Sequence, residues 1–181
     1  ILAFSGGLDT SFSVPYLKEK GYDVITVTVD TGGFNTKELA GIAKKSKQLG
    51  ASKHYTVDGK KDLFNNVASY IIKIHGLYQE SYPNMCADRY VIAEVCIRIA
   101  KKEQADCIAH GSTAMGNDQV RFDGALATIG PEFEIIAPIR DIGGNRKDEQ
   151  DYLEKNGFPV SSLHKKYSVN GLAKRQMDFI G

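Results

Sequence analysis

The stretch ILAFSGGLDTS, residues 1–11, joins a short apolar run to a Ser-Gly-Gly turn and then to the polar start of a helix. The apolar run, residues 1–4, predicts a buried strand, and the helix is expected to begin directly after the glycines. Gly6 and Gly7 permit positive φ values and let the backbone approach a ligand closely. A strand that leads through such a turn into a helix is the first half of a βαβ unit.

Short apolar or β-branched runs alternate with helical patterns along the rest of the chain. The further predicted strands are residues 23–30, 53–57, 106–110 and 133–139, and the clearest helical patterns are residues 36–49, 64–75 and 88–102. Strands that alternate with helices of this length predict a parallel sheet that is covered on both faces. The predicted fold class is therefore α/β, a three-layer α/β/α, Rossmann-like arrangement with a parallel sheet of about five strands.

The helical pattern at residues 36–49 carries both a start and a stop signal. Asn35 is a predicted N-cap, and Glu38 stands three residues later, where it completes a capping box. Gly50 follows the last apolar position and predicts the C-terminal end of the helix. Local chemistry therefore predicts both ends of this element.

Composition excludes several classes of protein. The chain has 181 residues, with 23 Lys and Arg against 22 Asp and Glu, a formal net charge of +1. This balance gives no electrostatic argument for nucleic acid or for an anionic membrane surface, and neither partner is expected. The 42% of hydrophobic residues suffice for a packed core, and no apolar run approaches the ~20 residues of a membrane helix. The lysine pairs at residues 44–45 and 101–102 are interpreted as solvated helix faces.

The three cysteines, Cys86, Cys96 and Cys107, show no CxxC spacing. An odd number without that spacing argues against a disulfide scaffold or a zinc site, and it fits a reducing cytosol. We therefore expect a cytoplasmic protein whose cysteines are small core or boundary residues rather than nucleophiles.

Small and polar residues follow four of the predicted strands. These segments are residues 5–11, 30–33 and 110–118 and the pair Arg140-Asp141. In an open parallel sheet, ligands bind beyond the carboxyl ends of the strands, so the segments predict a site at one edge of the sheet. His110 is expected to make a structural hydrogen bond there, whereas Arg140 and Asp141 either line the site or form an ion pair.

The heptapeptide SGGLDTS, residues 5–11, has the chemistry of an anion cradle. Backbone N–H groups at a helix N-terminus, together with the hydroxyls of Ser5, Thr10 and Ser11, favour phosphate. The segment is neither a Walker A loop nor a GxGxxG turn, and its glycine pair alone is equally typical of a plain strand-to-helix turn. The full heptapeptide, however, resembles the pyrophosphate-binding loop of the N-type ATP pyrophosphatases, which cleave ATP between the α and β phosphates.

A second long segment, HGSTAMGNDQVRFD at residues 110–123, resembles the HGxTxxGNDQVRF motif of the argininosuccinate synthase family. AFSGGLDTS at residues 3–11 resembles the first signature of the same family. Both motifs occur in the right order at predicted strand ends, so the chain is identified as similar to the nucleotide-binding part of that family. The resemblance implies an adenine nucleotide alpha hydrolase-like, ATP pyrophosphatase domain at residues 1–165. It also implies that residues 166–181 are the start, or a fragment, of a second synthetase domain.

The resemblance implies an ATP-dependent, AMP-forming carbon–nitrogen ligase that joins citrulline to aspartate in arginine biosynthesis. The ureido oxygen of citrulline attacks the α-phosphate of ATP, which gives citrullyl-AMP and pyrophosphate, and the aspartate amine then displaces AMP. ATP and Mg²⁺ are the implied cofactors, and citrulline and aspartate are the implied small-molecule partners. In the family, the subunit interface lies in the second domain, so the resemblance implies that the full-length protein is a homotetramer. It also implies a cytoplasmic location.

The same resemblance implies the site residues. ATP would contact Ala3, Phe4, Ser5, Gly6, Gly7, Leu8, Asp9, Thr10, Ser11, Val29 and Gly111. Aspartate would contact Thr113, Asn117 and Asp118, and citrulline would contact Tyr82, Cys86, Asn117, Arg121 and Ser168. Asp9, Asn117 and Asp118 would position the reactants, with no covalent nucleophile. Asp9 would act through the Mg²⁺ of MgATP or as a helix N-cap, and no direct metal ligand is otherwise implied.

The pair Met85-Cys86 departs from the family pattern, in which many members have Thr-Ser. The change removes hydroxyl donors near the citrulline carboxylate, and Arg89 nearby would compensate. Two other functions remain open. One is an ATP pyrophosphatase-type enzyme that adenylates a different oxygen, and the other is a nucleotide-binding module without turnover.

Overall fold

The computed structural model describes residues 1–77, 80, 87–143 and 145–158. Within these residues the core is a five-stranded, all-parallel sheet with the strand order β3-β2-β1-β4-β5. The strands are β1 (Leu2–Ala3), β2 (Ile25–Asp30), β3 (Lys53–Asp58), β4 (Cys107–Ala109) and β5 (Glu134–Ile136). The predicted parallel sheet of about five strands is confirmed. The predicted strand at residues 133–139 is too long, because Pro138 has no N–H for the ladder and instead begins a helix.

Helices follow and separate the strands. They are α1 (Leu8–Glu19), α2 (Thr36–Gln48), α3 (Lys60–Leu63), α4 (Ser69–Lys73), α5 (Asp88–Glu103), α6 (Asp118–Ile129), α7 (Pro138–Ile142) and α8 (Arg146–Lys155), with one π-helical segment, Phe64–Ala68, between α3 and α4. The single helix predicted at residues 64–75 is thus three short segments that begin at Lys60. Among the described helices, none has both the length and the apolar character of a membrane span.

Two apolar cores lie on opposite faces of the sheet, which gives the three predicted layers. Alternate residues of the first strand point to opposite cores: Ala3 packs with Val27 and α5, whereas Leu2 packs with residues of α1. Strands that contribute apolar side chains to both faces must be covered on both, as a parallel sheet requires.

The predicted capping box of α2 is confirmed. Asn35 Oδ1 accepts a hydrogen bond from the Glu38 N–H at 2.9 Å, and Glu38 Oε2 accepts one from the Asn35 N–H at 3.0 Å. Gly50, just past the helix, has a φ of +95°, as its position as a stop signal predicts.

The strand order creates a switch point between β1 and β4. The chain proceeds outward from β1 to β3 on one side and then crosses to β4, which pairs with the other side of β1. In open parallel sheets, ligands bind at such a switch point, beyond the carboxyl ends of the two strands. Residues 5–11 and 110–118 are the segments that leave these two strand ends.

Candidate functional site

The turn at residues 5–7, called the glycine loop below, joins β1 to α1. Gly6 has a φ of +74°, and a Cβ at this residue would lie 3.1 Å from Ile42 Cγ1. Both the backbone conformation and the packing of α2 therefore favour glycine at Gly6. Gly7 is the N-cap of α1. Because glycine has no side chain, no cap residue covers the N–H groups at the start of the helix.

Hydroxyl groups surround the glycine loop. Ser5 Oγ lies 3.3 Å from Thr10 Oγ1 and also accepts a hydrogen bond from the Gly7 N–H at 3.3 Å. Ser11 is fully buried, and its Oγ has no hydrogen-bond partner among the described residues. These hydroxyls, together with the N–H groups of the first helical turn, form the donor set that an anion requires.

Asp9 does not cap α1, so the N-cap alternative is wrong. Gly7 holds that position, and no side chain caps the helix; Asp9 lies within the first turn instead. A carboxylate there interacts favourably with the positive end of the helix dipole, but it does not occupy the cap position.

The loop after β4 packs directly on the start of α1. A Cβ at Gly111 would lie 2.9 Å from Thr10 Cγ2 and 3.2 Å from the Thr10 amide nitrogen. Only a residue without a side chain fits at that distance, so Gly111 brings the two strand-end segments into contact. The predicted approach of Gly111 to the nucleotide stays a prediction, because the contact seen here is with Thr10.

His110 fixes the loop after β4 through hydrogen bonds of both its ring nitrogens. The Ser112 N–H donates to His110 Nδ1 at 3.2 Å, which leaves Nε2 to carry the proton that it donates to Asp123 Oδ1 at 2.9 Å. Arg140 Nη1 donates to the other oxygen of Asp123 at 2.5 Å. Burial lowers the pKa of His110, in agreement with a neutral ring. His110 thus makes the predicted structural hydrogen bonds, and Arg140 forms an ion pair.

Asp118, at the first turn of α6, is held by two guanidinium groups. Arg89 Nη2 lies 3.2 Å from Asp118 Oδ2, and Arg121 Nη1 lies 3.1 Å from Asp118 Oδ1. Arg89 is itself buried and pairs with Asp88 Oδ1 at 2.6 Å. The structure therefore brings together Asp118 and Arg121, which sequence reasoning assigned to different substrates.

Thr113 and Asn117, the other two residues that the resemblance assigns to aspartate, are exposed. The Thr113 hydroxyl donates to the Met115 carbonyl oxygen at 2.9 Å, and this hydrogen bond shapes the loop. Asn117 is the N-cap residue of α6, but its side chain makes no cap hydrogen bond. Its amide is therefore not used in capping.

The backbone at Ala3, Phe4 and Val29 lies at the carboxyl ends of β1 and β2. All three side chains are buried, and the Phe4 N–H donates to the Val27 carbonyl at 2.8 Å. Their side chains are part of the core, so a ligand at this edge would meet these residues through backbone atoms.

Glu149 and Lys45 are two charged residues that sequence reasoning missed. Glu149, on α8, is 1% exposed, and its Oε2 has no hydrogen-bond partner among the described residues. Burial and the Asp9 carboxylate raise the pKa of Glu149 to about 8. Lys45 is half-buried and donates to the Gly6 carbonyl oxygen, so its interpretation as part of a solvated face is wrong. No local pattern marks either residue, since each interacts with residues that are distant in sequence.

The cysteines behave as expected where they are described. Cys96 is buried, and burial raises the pKa of its thiol to about 12, while the thiol of Cys107 is shifted in the same direction. Neither thiol is activated as a nucleophile. The citrulline assignments Tyr82, Cys86 and Ser168, and the second-domain segment 166–181, lie outside the described residues.

Comparisons with known proteins show the family of the chain. The family model described as the arginosuccinate synthase N-terminal HUP domain matches residues 1–159. The chain is 45% identical over 174 residues to an argininosuccinate synthase of Xanthomonas campestris pv. campestris. It is 46% identical over 172 residues to one of Sulfurisphaera tokodaii. Each alignment covers 94% of this chain and 44% of the relative.

The chain belongs to the argininosuccinate synthase family. It spans less than half the length of these curated relatives and corresponds to the family's N-terminal domain. A solved structure described as a predicted subunit of tRNA methyltransferase from Methanocaldococcus jannaschii shares the fold. Its TM-score is 0.55 and its sequence identity 22%, and the match covers 85% of this chain and 74% of that one.

Proposed function

We propose that the protein is an argininosuccinate synthase, which consumes ATP to ligate citrulline to aspartate and releases AMP and pyrophosphate. ATP use, the AMP-forming course and both amino-acid substrates belong to this proposal. A cytoplasmic location and assembly into a homotetramer belong to it as well, and these two rest on family membership alone.

The observation that carries the proposal is the contact between Gly111 and the first turn of α1. A Cβ added at Gly111 would lie 3.2 Å from the Thr10 amide nitrogen, so the segment with the GNDQVRF motif packs on the helical turn that directly follows the glycine loop. A triphosphate held by the glycine loop would therefore lie beside residues that can hold an amino acid. Catalysis would come from positioning a nucleophilic oxygen in line with the α-phosphate.

In this proposal, the glycine loop holds the phosphates that leave as pyrophosphate. The N–H groups of the first turn of α1 and the hydroxyls of Ser5, Thr10 and Ser11 supply hydrogen-bond donors. Negative charge builds on the leaving group during the attack, and preorganised donors stabilise it without reorganisation.

The carboxyl groups of Asp9 and Glu149 fit the Mg²⁺ of MgATP. Among the described residues, no group of three or more His, Cys, Asp or Glu side chains converges on one point. Mg²⁺ does not need one, because it is usually held by one or two carboxylates, waters and substrate phosphates. The buried, unpartnered Oε2 of Glu149 is the atom that a cation would satisfy. When bound, Mg²⁺ would neutralise charge on the phosphate oxygens.

The cluster around Asp118 would bind the amino acids. We assign Asp118 to the ammonium group of aspartate and Arg121 to the citrulline carboxylate, which a guanidinium can bind with two hydrogen bonds. Thr113 and Asn117 would complete the aspartate contacts. Arg89 keeps Asp118 in place, because it donates to Asp118 from a buried position.

Pyrophosphate release tests the proposal. Protein expressed from its complete reading frame is incubated with MgATP, with citrulline and aspartate added singly and together. We expect pyrophosphate release to require citrulline, and free AMP and a joined product to require both amino acids. ATP binding without citrulline-dependent release would contradict the assignment and favour another adenylating enzyme or a module without turnover.

A further inference from the structure

Lys44 and Lys45 are adjacent in sequence but lie in different environments. Lys44 is exposed on the outer face of α2. Lys45 is half-buried, and its Nζ donates to the carbonyl oxygen of Gly6 at 3.1 Å. Burial lowers the pKa of Lys45, because the ammonium group has lost part of its water shell.

Within the described residues, no carboxylate lies within ion-pair distance of Lys45. Other lysines of the sheet and its helices have one: Lys53 pairs with Glu103 at 2.8 Å, and Lys60 pairs with Asp30 at 2.6 Å. A partly desolvated ammonium group without an anion is unfavourable unless an anion joins it. The contact with Gly6 uses one of its three N–H donors, so two remain for another acceptor.

The position of Lys45 is fixed by the packing of α2. Ile42 and Lys45 are three residues apart and so lie on the same face of the helix. Ile42 is buried against the point where Gly6 lacks a side chain. The capped and buried helix therefore holds the ammonium group against the glycine loop rather than leaving it free in solvent.

We propose that Lys45 is a further phosphate-binding residue, whose ammonium charge balances the β and γ phosphates held by the glycine loop. This inference rests on the proposed function. It adds a cation from α2 to a loop whose other donors are uncharged. The leaving pyrophosphate carries more charge than AMP, so Lys45 discriminates in favour of the polyphosphate end of the nucleotide.

Affinities for inorganic pyrophosphate and for AMP test this role in protein from the complete reading frame. The variants are Lys45→Gln, which keeps an N–H donor for Gly6 but removes the charge, Lys45→Arg, which keeps the charge, and Lys44→Gln as the matched control. We expect Lys45→Gln to weaken pyrophosphate binding by roughly tenfold or more, with AMP affinity within about twofold of wild type. Lys45→Arg should retain most of the pyrophosphate affinity, and Lys44→Gln should match wild type.

Each other outcome overturns the inference. Equal weakening of pyrophosphate and AMP binding by Lys45→Gln would assign Lys45 a purely structural role. Wild-type pyrophosphate affinity in Lys45→Gln would remove it from the site while leaving the proposed function standing. If the wild-type protein binds neither ATP nor pyrophosphate, the proposed function fails, and the inference fails with it.

Discussion

Gly111 is the residue on which the geometry of the site depends most closely. The backbone of Gly111 is close enough to Thr10 that an added Cβ would lie 2.9 Å from its Cγ2. Either the loop after β4 or the start of α1 must move to accept a side chain, and both carry site residues.

Gly111→Ala should lower the free energy of unfolding by about 2 kcal/mol, because it overpacks a fixed contact. Urea unfolding measures the change. Gly124→Ala is the control: Gly124 lies inside α6 with nothing within 4 Å of its added Cβ, and alanine should stabilise that helix by about 0.5–1 kcal/mol. Wild-type stability in Gly111→Ala would contradict the close approach.

His110 should make the fold sensitive to acid. Its pKa in the folded state is lowered by burial, so below pH 6.5 the unfolded chain binds a proton that the folded chain does not. Stability contributed by this residue is therefore fully present above about pH 6.5 and is lost progressively as the pH falls below that value.

Unfolding of His110→Gln between pH 7.5 and 5 measures that contribution. The variant should be less stable than wild type at neutral pH but should lose less stability on acidification. Parallel curves for wild type and His110→Gln would show that His110 does not carry the acid sensitivity.

Among the helices, α2 has a start that the sequence predicts and also contacts the glycine loop. The capping box that fixes its start was readable from Asn35 and Glu38 alone, because both hydrogen bonds are local. Its contacts with the glycine loop, through Ile42 and Lys45, were not readable, because they form only when the helix packs. The hydrogen bond from Lys45 to the Gly6 carbonyl oxygen joins residues that are 39 positions apart in sequence.

Asn35→Ala should destabilise the protein by about 1 kcal/mol, because it leaves the Glu38 N–H without its acceptor. Thermal or urea unfolding measures the loss. Asn35→Asp retains a side-chain oxygen at the cap and should remain close to wild type. If both variants unfold like wild type, the cap contributes nothing to the stability of α2.

In the molecule as a whole, the sequence anticipated the carboxyl edge of the sheet, but not the strand order that places a switch point between β1 and β4. Strand-end segments rich in glycine and hydroxyl groups indicated one edge of a parallel sheet, and both long motifs lie there. The pairing of Arg89 with Asp118, and of Glu149 with Asp9, was not predictable, since each joins elements that are distant in sequence. Charged clusters of this kind depend on packing geometry, which periodicity does not encode.

Asp118→Ala should raise the KM for aspartate by roughly tenfold or more, with the KM for ATP within about twofold of wild type. Asp118 lies on α6 beside Arg89 and Arg121, whereas the proposed phosphate donors lie in the glycine loop and on α1. Steady-state kinetics of protein from the complete reading frame, with each substrate varied in turn, separates the effect on the KM for aspartate from any effect on the KM for ATP. An equal rise in both KM values would show that Asp118 supports the whole site rather than the aspartate contact.

The central claim is that the ureido oxygen of citrulline attacks the α-phosphate of ATP held at the switch point. Citrulline labelled with ¹⁸O in the ureido group tests it directly, with mass spectrometry of the phosphate-containing products after turnover with aspartate and MgATP. We expect the label to appear in AMP. Label in pyrophosphate or in inorganic phosphate would contradict it, because the oxygen would then have attacked a different phosphorus.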